Sequence, residues 1–184
     1  MHNHPSEREI IVEACRGNVA AFDHIVQLWE RPLFNYLRRF FDRKEDAQDV
    51  TQETFLKVYR GLHSYNQAKK FSTWLFTIAT HTAYDWLRKK RRFPESLSID
   101  DGQYSSETIE DPRSYNIIED RIDIDTALKE LRPEYRAVLL LYYYQSLTYE
   151  EMTEILALPL NTVKTHLRRA KEALKNAFDE ARNK

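Results

Sequence analysis

Glycine is scarce in this chain, with three in 184 residues. A Gly-rich phosphate loop is missing, so the usual nucleotide-binding cradles are excluded. Cysteine occurs once, at Cys15, which rules out an intrachain disulfide and fits a reducing cytosol. Cys15 reads as a small apolar helix residue, with redox sensing as the outside alternative. No apolar run is long enough to span a bilayer, and the N-terminus lacks the layout of a signal peptide. A cytoplasmic protein with no insertion into lipid is therefore expected. His2 and His4 read as a frayed tail. Neither metal-ligand spacing nor a nucleophile motif occurs, so no catalytic residue, no metal and no cofactor is expected. Nothing points to an enzyme.

What the chain has instead is charge, at 31% of residues, and long amphipathic stretches, which together indicate an all-α protein. The formal net charge of −1 hides a pattern. Residues 1–92 carry 16 basic and 11 acidic side chains, residues 93–131 carry 3 and 11, and residues 132–184 carry 9 and 7. Two mildly basic lobes flank an acidic connector.

The most informative stretch is Leu147–Phe178. Thr148 and Glu151 form a T-x-x-E capping box, so a helix should open at Tyr149 with Met152, Ile155 and Leu156 on its apolar face. Pro159 breaks it, and Asn161 is the expected N-cap of a second helix. Along that second helix Val163, Leu167, Ala170, Leu174 and Phe178 recur at steps of four, three, four and four. The pair has the pattern of a helix-turn-helix. Its second helix carries Lys164, Arg168, Arg169, Lys171 and Lys175 against Glu172 alone before its final turns. Thr162, Lys164, Thr165 and Arg168 lie in the early turns, off the apolar stripe, where a recognition helix meets base edges; later cations meet phosphates. A helical hairpin with a solvated basic face would show the same residues.

Upstream, the spacing predicts a helix over 6–16 that ends at Gly17-Asn18, then one from Val19 to about Phe41 that Pro32 kinks or restarts. A third spans 44–62 with Ala47, Val50, Thr54, Val58 and Leu62 inward. Asp49, Gln52 and Glu53 share its outer face, either as a solvated acidic surface or as a docking surface for a basic partner. Residues 61–70 read as a polar loop. A helix over 71–92 follows, with Phe71, Leu75, Ile78, Ala79 and Trp86 inward and Trp74, Thr77, His81, Asp85 and Arg88 on another face. It ends in five successive cations, Arg88 to Arg92, which favour a polyanion. Aromatics beside cations suit unpaired bases, although Trp74 and Trp86 also suit a core. Residues 93–118 lack periodicity and read as a flexible linker. A helix from about Glu119 and one opened by Pro133 complete the second lobe. The lobes read as independent units on a tether, with packing between them left open.

Three motifs in this order carry a family resemblance: Asp46-Ala-Gln-Asp-Val-Thr-Gln-Glu-Thr-Phe55, Phe71-Ser-Thr-Trp-Leu-Phe-Thr-Ile-Ala79 and Leu160-Asn-Thr-Val-Lys-Thr-His-Leu-Arg-Arg-Ala170. With the proline-led Leu131–Arg136 segment, the chain resembles bacterial RNA polymerase sigma factors of the extracytoplasmic-function (ECF) group. The resemblance implies a region 2 domain at 1–92, a linker at 93–118 and a region 4 domain at 119–184. Core RNA polymerase would be the partner, its clamp helices meeting Asp49, Gln52 and Glu53 and its flap meeting region 4. Single-stranded −10 DNA would meet Asn66, Lys69, Lys70, Trp74, Thr77, His81, Arg88 and Lys89. Duplex −35 DNA would meet Thr162, Lys164, Thr165, Arg168, Arg169 and Lys171. The acidic connector would thread toward the polymerase's RNA-exit path, and a separate anti-sigma factor is an expected partner. Three departures stand out: His81 where many relatives have asparagine, His166 where arginine is common, and Asn161 where glycine is common. The alternative is a conventional helix-turn-helix regulator that binds duplex DNA without being a polymerase subunit. A metal-dependent nucleic-acid enzyme using Asp46, Asp49 and Glu53 is more remote.

Overall fold

The computed structural model describes residues 6–92 and 124–182, which contain helices and no strand. The predicted linker and the start of the helix expected from Glu119 fall outside the described residues. The first helix, α1 (Glu7–Cys15), opens with a capping box in which Ser6 and Glu9 exchange bonds. Gly17, at φ +91°, turns the chain out of it in a conformation that favours glycine. Asn18 then caps α2 (Val19–Arg38) by accepting from the Ala21 amide.

Helix α2 runs unbroken through Pro32, so of the kink or restart expected there the restart does not occur. A mid-helix proline costs about 3 kcal/mol, but Leu33, Tyr36 and Leu37 directly follow it and are wholly buried. Burying such side chains contributes roughly 1.5–3 kcal/mol each, enough to carry the helix through. The helix ends at Arg38 rather than near Phe41, and Phe40 and Phe41 are buried beyond its end.

In α3 (Lys44–Gly61) and the single 3-10 turn after it, Ala47, Val50, Thr54, Val58 and Leu62 are buried as the periodicity predicts. Thr51 and Thr54 enter the core because their hydroxyls donate back to the Ala47 and Val50 carbonyls at 2.7 Å. The fourth helix, α4 (Phe71–Arg92), lays Phe71, Leu75, Phe76 and Ala79 against this core. Tyr36 sits at its centre, ring to ring with Phe76 at 5.1 Å and hydroxyl to Thr80 Oγ1 at 2.8 Å. That burial pushes the Tyr36 phenol well above its ordinary value.

The second lobe has a helix over 124–130 (α5), then α6 (Pro133–Tyr143), α7 (Tyr149–Leu156) and α8 (Leu160–Arg182). Ala137 to Leu141, Met152, Ile155, Val163, Leu167 and Ala170 make its core. The predicted Thr148–Glu151 capping box is present. Ala157 ends α7 in the left-handed region, at φ 52°. The helix-turn-helix second helix starts two residues early, at Leu160, with the Pro159 carbonyl accepting from Thr162 and Val163. Asn161 is therefore inside the first turn and not its cap.

The lobes touch. Helix α7 packs closely against α4. Arg136, buried at 5% exposure, donates across the seam to the Arg39 and Phe40 carbonyls at 3.0 Å. Within its own lobe it donates to the Lys129 and Leu131 carbonyls. Burial lowers its ordinary guanidinium value, with Asp42 and Glu130 opposing. Beside it Arg39 pairs with Asp125 at 3.1 Å and lies over the Tyr144 ring at 4.0 Å.

Candidate nucleic-acid interface

The outer face of α3 presents Asp49 and Gln52 to solvent, while Glu53 is half-buried and paired with Lys57 at 2.9 Å. Lys57 also donates to Thr82 Oγ1, which ties this face to α4. Leu56, 55% exposed, continues the same face at helical spacing, with Tyr59 beside it at 49%. The acidic surface is thus edged with apolar side chains that sequence reasoning missed. Their signal was that Leu56 and Tyr59 continue the three- and four-residue steps of Asp49, Gln52 and Glu53, off the Ala47/Val50/Thr54/Val58 stripe. Asp46, from the same motif, is buried and bound to Lys90 at 3.0 Å, so it joins the start of α3 to the end of α4.

The loop before α4 is held by its own side chains. Asn66 accepts from the Ala68 amide at 2.9 Å, an Asx turn, so its carboxamide oxygen is engaged within the loop. Tyr65 packs its ring on Phe71 and on Trp74, at 5.6 and 4.9 Å. Trp74 is half-buried in this aromatic corner, and a Cβ at Gly61 would come within 3.1 Å of its ring. Close approach of α3 to the indole is why glycine stands there. Thr77, half-buried, donates to the Thr73 carbonyl. His81 is exposed, Lys89 is exposed, and Arg88 pairs with Asp85 at 2.6 Å. Trp74, Thr77, His81 and Arg88 therefore lie along one helix, as their spacing predicts. Lys69 and Lys70 are both engaged by the second lobe, with Glu154 at 2.9 Å and Glu151 at 2.7 Å.

On α8, Lys164, Arg168, Arg169 and Lys171 are exposed, and Thr162 and Thr165 are half-buried. Thr165 donates to the Asn161 carbonyl, and Arg168 pairs with Glu172 at 2.6 Å. His166 turns toward the core and meets the edge of Tyr135 at 5.4 Å. Tyrosines missed by the sequence reading extend this surface. Tyr142 stacks on Tyr149 at 5.6 Å, Lys171 lies over Tyr142 and Tyr143, and Lys164 lies over Tyr149. Donation to the Tyr143 phenolic oxygen raises the Lys171 ammonium above its ordinary value, so it remains a cation. The run Tyr142-Tyr143-Tyr144 at a helix end, opposite cations seven residues apart on α8, was the available clue.

Among the described residues, no cluster of three or more His, Cys, Asp or Glu could hold a metal. No described helix is long and apolar enough to cross a membrane. Three surfaces stand out: a carboxylate face, an aromatic and cationic helix, and a basic helix-turn-helix.

Comparison with known proteins places these surfaces in two recognised regions. Residues 25–93 match Sigma-70 region 2, and residues 121–174 match Sigma-70, region 4. RNA polymerase sigma factor YlaC of Bacillus subtilis is 33% identical over 167 residues, 88% of this chain and 94% of that one. ECF RNA polymerase sigma factor SigW of the same organism is 30% identical over 179 residues, 90% of this chain and 92% of that one. The RNA polymerase sigma-H factor of Pseudomonas aeruginosa is 29% identical over 181 residues, 94% and 93%. Among solved structures, CnrH in complex with the cytosolic domain of CnrY shares the fold, at a TM-score of 0.70 and 22% identity over 95% of this chain and 97% of that one. The sigma factor RpoE of Bartonella quintana, in complex with the anti-sigma factor NepR, does so at 0.65 and 22%, over 86% and 96%.

Proposed function

The chain belongs to the ECF group of the sigma-70 family, and from that premise we propose how its surfaces divide the work of transcription initiation. As a sigma factor it binds core RNA polymerase and directs it to promoters. The observation that carries this reading is the pairing of region 2 and region 4, in that order, along one chain. A regulator that binds duplex DNA alone needs only the second.

Asp49, Gln52 and Glu53 dock on the polymerase clamp helices, with Leu56 and Tyr59 adding apolar area; exposure of the first two and the apolar edge support this. Strand opening falls to the loop and α4. Duplex bases are stacked, and holding one out costs a few kcal/mol. Asn66, Lys69 and Lys70 meet a displaced base, Trp74, Thr77 and His81 follow the strand, and Arg88 and Lys89 grip phosphates. The −35 duplex is met by Thr162, Lys164, Thr165 and Arg168 at the start of α8, and by Arg169 and Lys171 on the backbone. Region 2 occupies 1–92 and region 4 occupies 119–184, with 93–118 as the connector. The protein works in the cytoplasm, without catalytic chemistry of its own, and an anti-sigma factor is its regulator.

The test is reconstitution: purified chain and core polymerase, transcribing a library of promoter fragments. Promoter-selective transcripts that depend on the chain are expected. Failure to bind core polymerase, together with tight binding to duplex DNA alone, would replace this reading with a conventional regulator.

A further inference from the structure

Both lysines at the tip of the strand-opening loop already have anionic partners, and these come from the other DNA-binding lobe. Lys69 meets Glu154 at 2.9 Å and Lys70 meets Glu151 at 2.7 Å. Glu151 is set in position before it meets Lys70. Its second oxygen accepts from the Thr148 amide at 2.8 Å in the capping box, so little side-chain freedom remains to be lost. The bonds from Lys70 and Thr148 outweigh its burial and keep its carboxyl below the ordinary value. Helix α7 lies against α4 behind these pairs, and Arg136 fixes the lobes in register through the Arg39 and Phe40 carbonyls.

We propose that α7 is an internal phosphate mimic: its two carboxylates clasp Lys69 and Lys70, so that the chain outside the polymerase is closed on itself. The proposal rests on the promoter reading above, which gives those lysines their anionic ligand. Because α7 is half of the helix-turn-helix, one contact withdraws the strand-opening loop and part of the duplex-binding unit together. The clasp is built to yield. Lys69, Lys70 and Glu154 are at least half exposed and Glu151 is 15% exposed, and ion pairs whose cation is open to water are weak and screened by salt. A row of promoter phosphates offers more charge than two carboxylates. The Arg39 and Phe40 carbonyls that Arg136 leaves behind return to water when the lobes part.

The experiment is energy transfer within the full chain, carried on Leu28→Cys and Lys175→Cys in a Cys15→Ser background; both label positions are exposed. Glu151→Gln with Glu154→Gln removes the charges, while the amide side chain can still complete the capping box with Thr148. Transfer in the parent should be high at low salt and fall as NaCl rises. In the double variant the open fraction relative to closed should rise between about twofold and thirtyfold, the combined worth of two pairs whose lysines are open to solvent. Trypsin should cut after Lys69 and Lys70 faster by a similar factor. Reversing both sides, Lys69→Glu and Lys70→Glu with Glu151→Lys and Glu154→Lys, should restore transfer that either half alone loses. Unchanged transfer and unchanged cleavage in the double Gln variant would overturn the clasp, as would low transfer in the parent at low salt. None of these readouts contains DNA or polymerase, so their failure leaves the promoter reading standing; failed transcription by the reconstituted holoenzyme overturns that reading instead.

Discussion

Replacing Arg136 by methionine keeps most of the side chain's stem and removes its five donors. Four carbonyls then lose a partner: those of Lys129 and Leu131 in the second lobe, and those of Arg39 and Phe40 at the end of α2. Hydrogen bonds to a charged group contribute about 1.5–3 kcal/mol each, and the guanidinium's own desolvation cancels a large part of the sum. The two acceptors just after α2 can be rehydrated if the lobes separate, whereas those of Lys129 and Leu131 stay inside the second lobe. The expected cost is about 2–4 kcal/mol, falling on the second lobe. The chain supplies its own reporter for this asymmetry, because Trp29, Trp74 and Trp86 all lie in α2 and α4. Urea unfolding followed by tryptophan fluorescence reads the first lobe, while far-ultraviolet circular dichroism reads both. Arg136→Met should move the dichroism transition well ahead of the fluorescence transition. Arg136→Lys should recover little, since one ammonium cannot span acceptors on both lobes. Transitions that stay within about 0.5 kcal/mol of the parent would refute the reasoning.

Asp49→Ala combined with Glu53→Ala should weaken binding to core polymerase in a pull-down or anisotropy assay, while thermal stability changes by less than about 0.5 kcal/mol, the worth of an i,i+4 helix pair such as Glu53–Lys57. Arg168→Ala should relax −35 sequence preference at a cost of about 1–3 kcal/mol, whereas Lys171→Ala should weaken all sequences alike and lower the salt slope by about one, both read from binding isotherms across salt. Ala157→Gly should stabilise the second lobe by about 1 kcal/mol in a thermal melt, because a residue with a Cβ is strained at φ 52°. Glu9 and Glu151 have carboxyls lowered from the ordinary 4.5, so the stability they lend to their helix starts is complete above that value and lost as pH falls through the lowered ones. An acid titration followed by amide exchange should show α1 and α7 fraying first at their N-termini.

Periodicity and capping were legible because both are local. Thr148 and Glu151 announced a helix start, and the 3.6-residue stripe of α3 named Ala47, Val50, Thr54 and Val58 as buried while passing over Asp46, Thr51 and Phe55. What failed was where tertiary packing overrules a local rule. Pro32 looks like a break until Leu33, Tyr36 and Leu37 are seen to be sealed in the core. Asn161 looks like a cap until the Pro159 carbonyl takes that place. The candidate DNA residues could be assigned to faces, but their partners could not. Lys69 and Glu154 are 85 residues apart, and no window of sequence joins them. Arg136 was equally silent: an arginine ahead of a Leu-rich run gives no sign that backbone carbonyls of another lobe receive it.

The Asp46–Lys90 pair has a consequence for measurement along a strand. By fixing the last turns of α4 to the start of α3, it holds the basic end of the helix at a set place on the first lobe, so the helix becomes a ruler. From Trp74 to Lys89 is about 22 Å at 1.5 Å per residue. A strand stacked at B-form spacing advances 3.4 Å per nucleotide, so about six or seven nucleotides is the upper bound for that interval, and an unstacked, extended strand fits fewer. On the promoter reading proposed above, the aromatic corner at one end and the cations at the other would set the length of single strand held in one grip. Changing that length would take an insertion in α4 rather than a change in any side chain it presents.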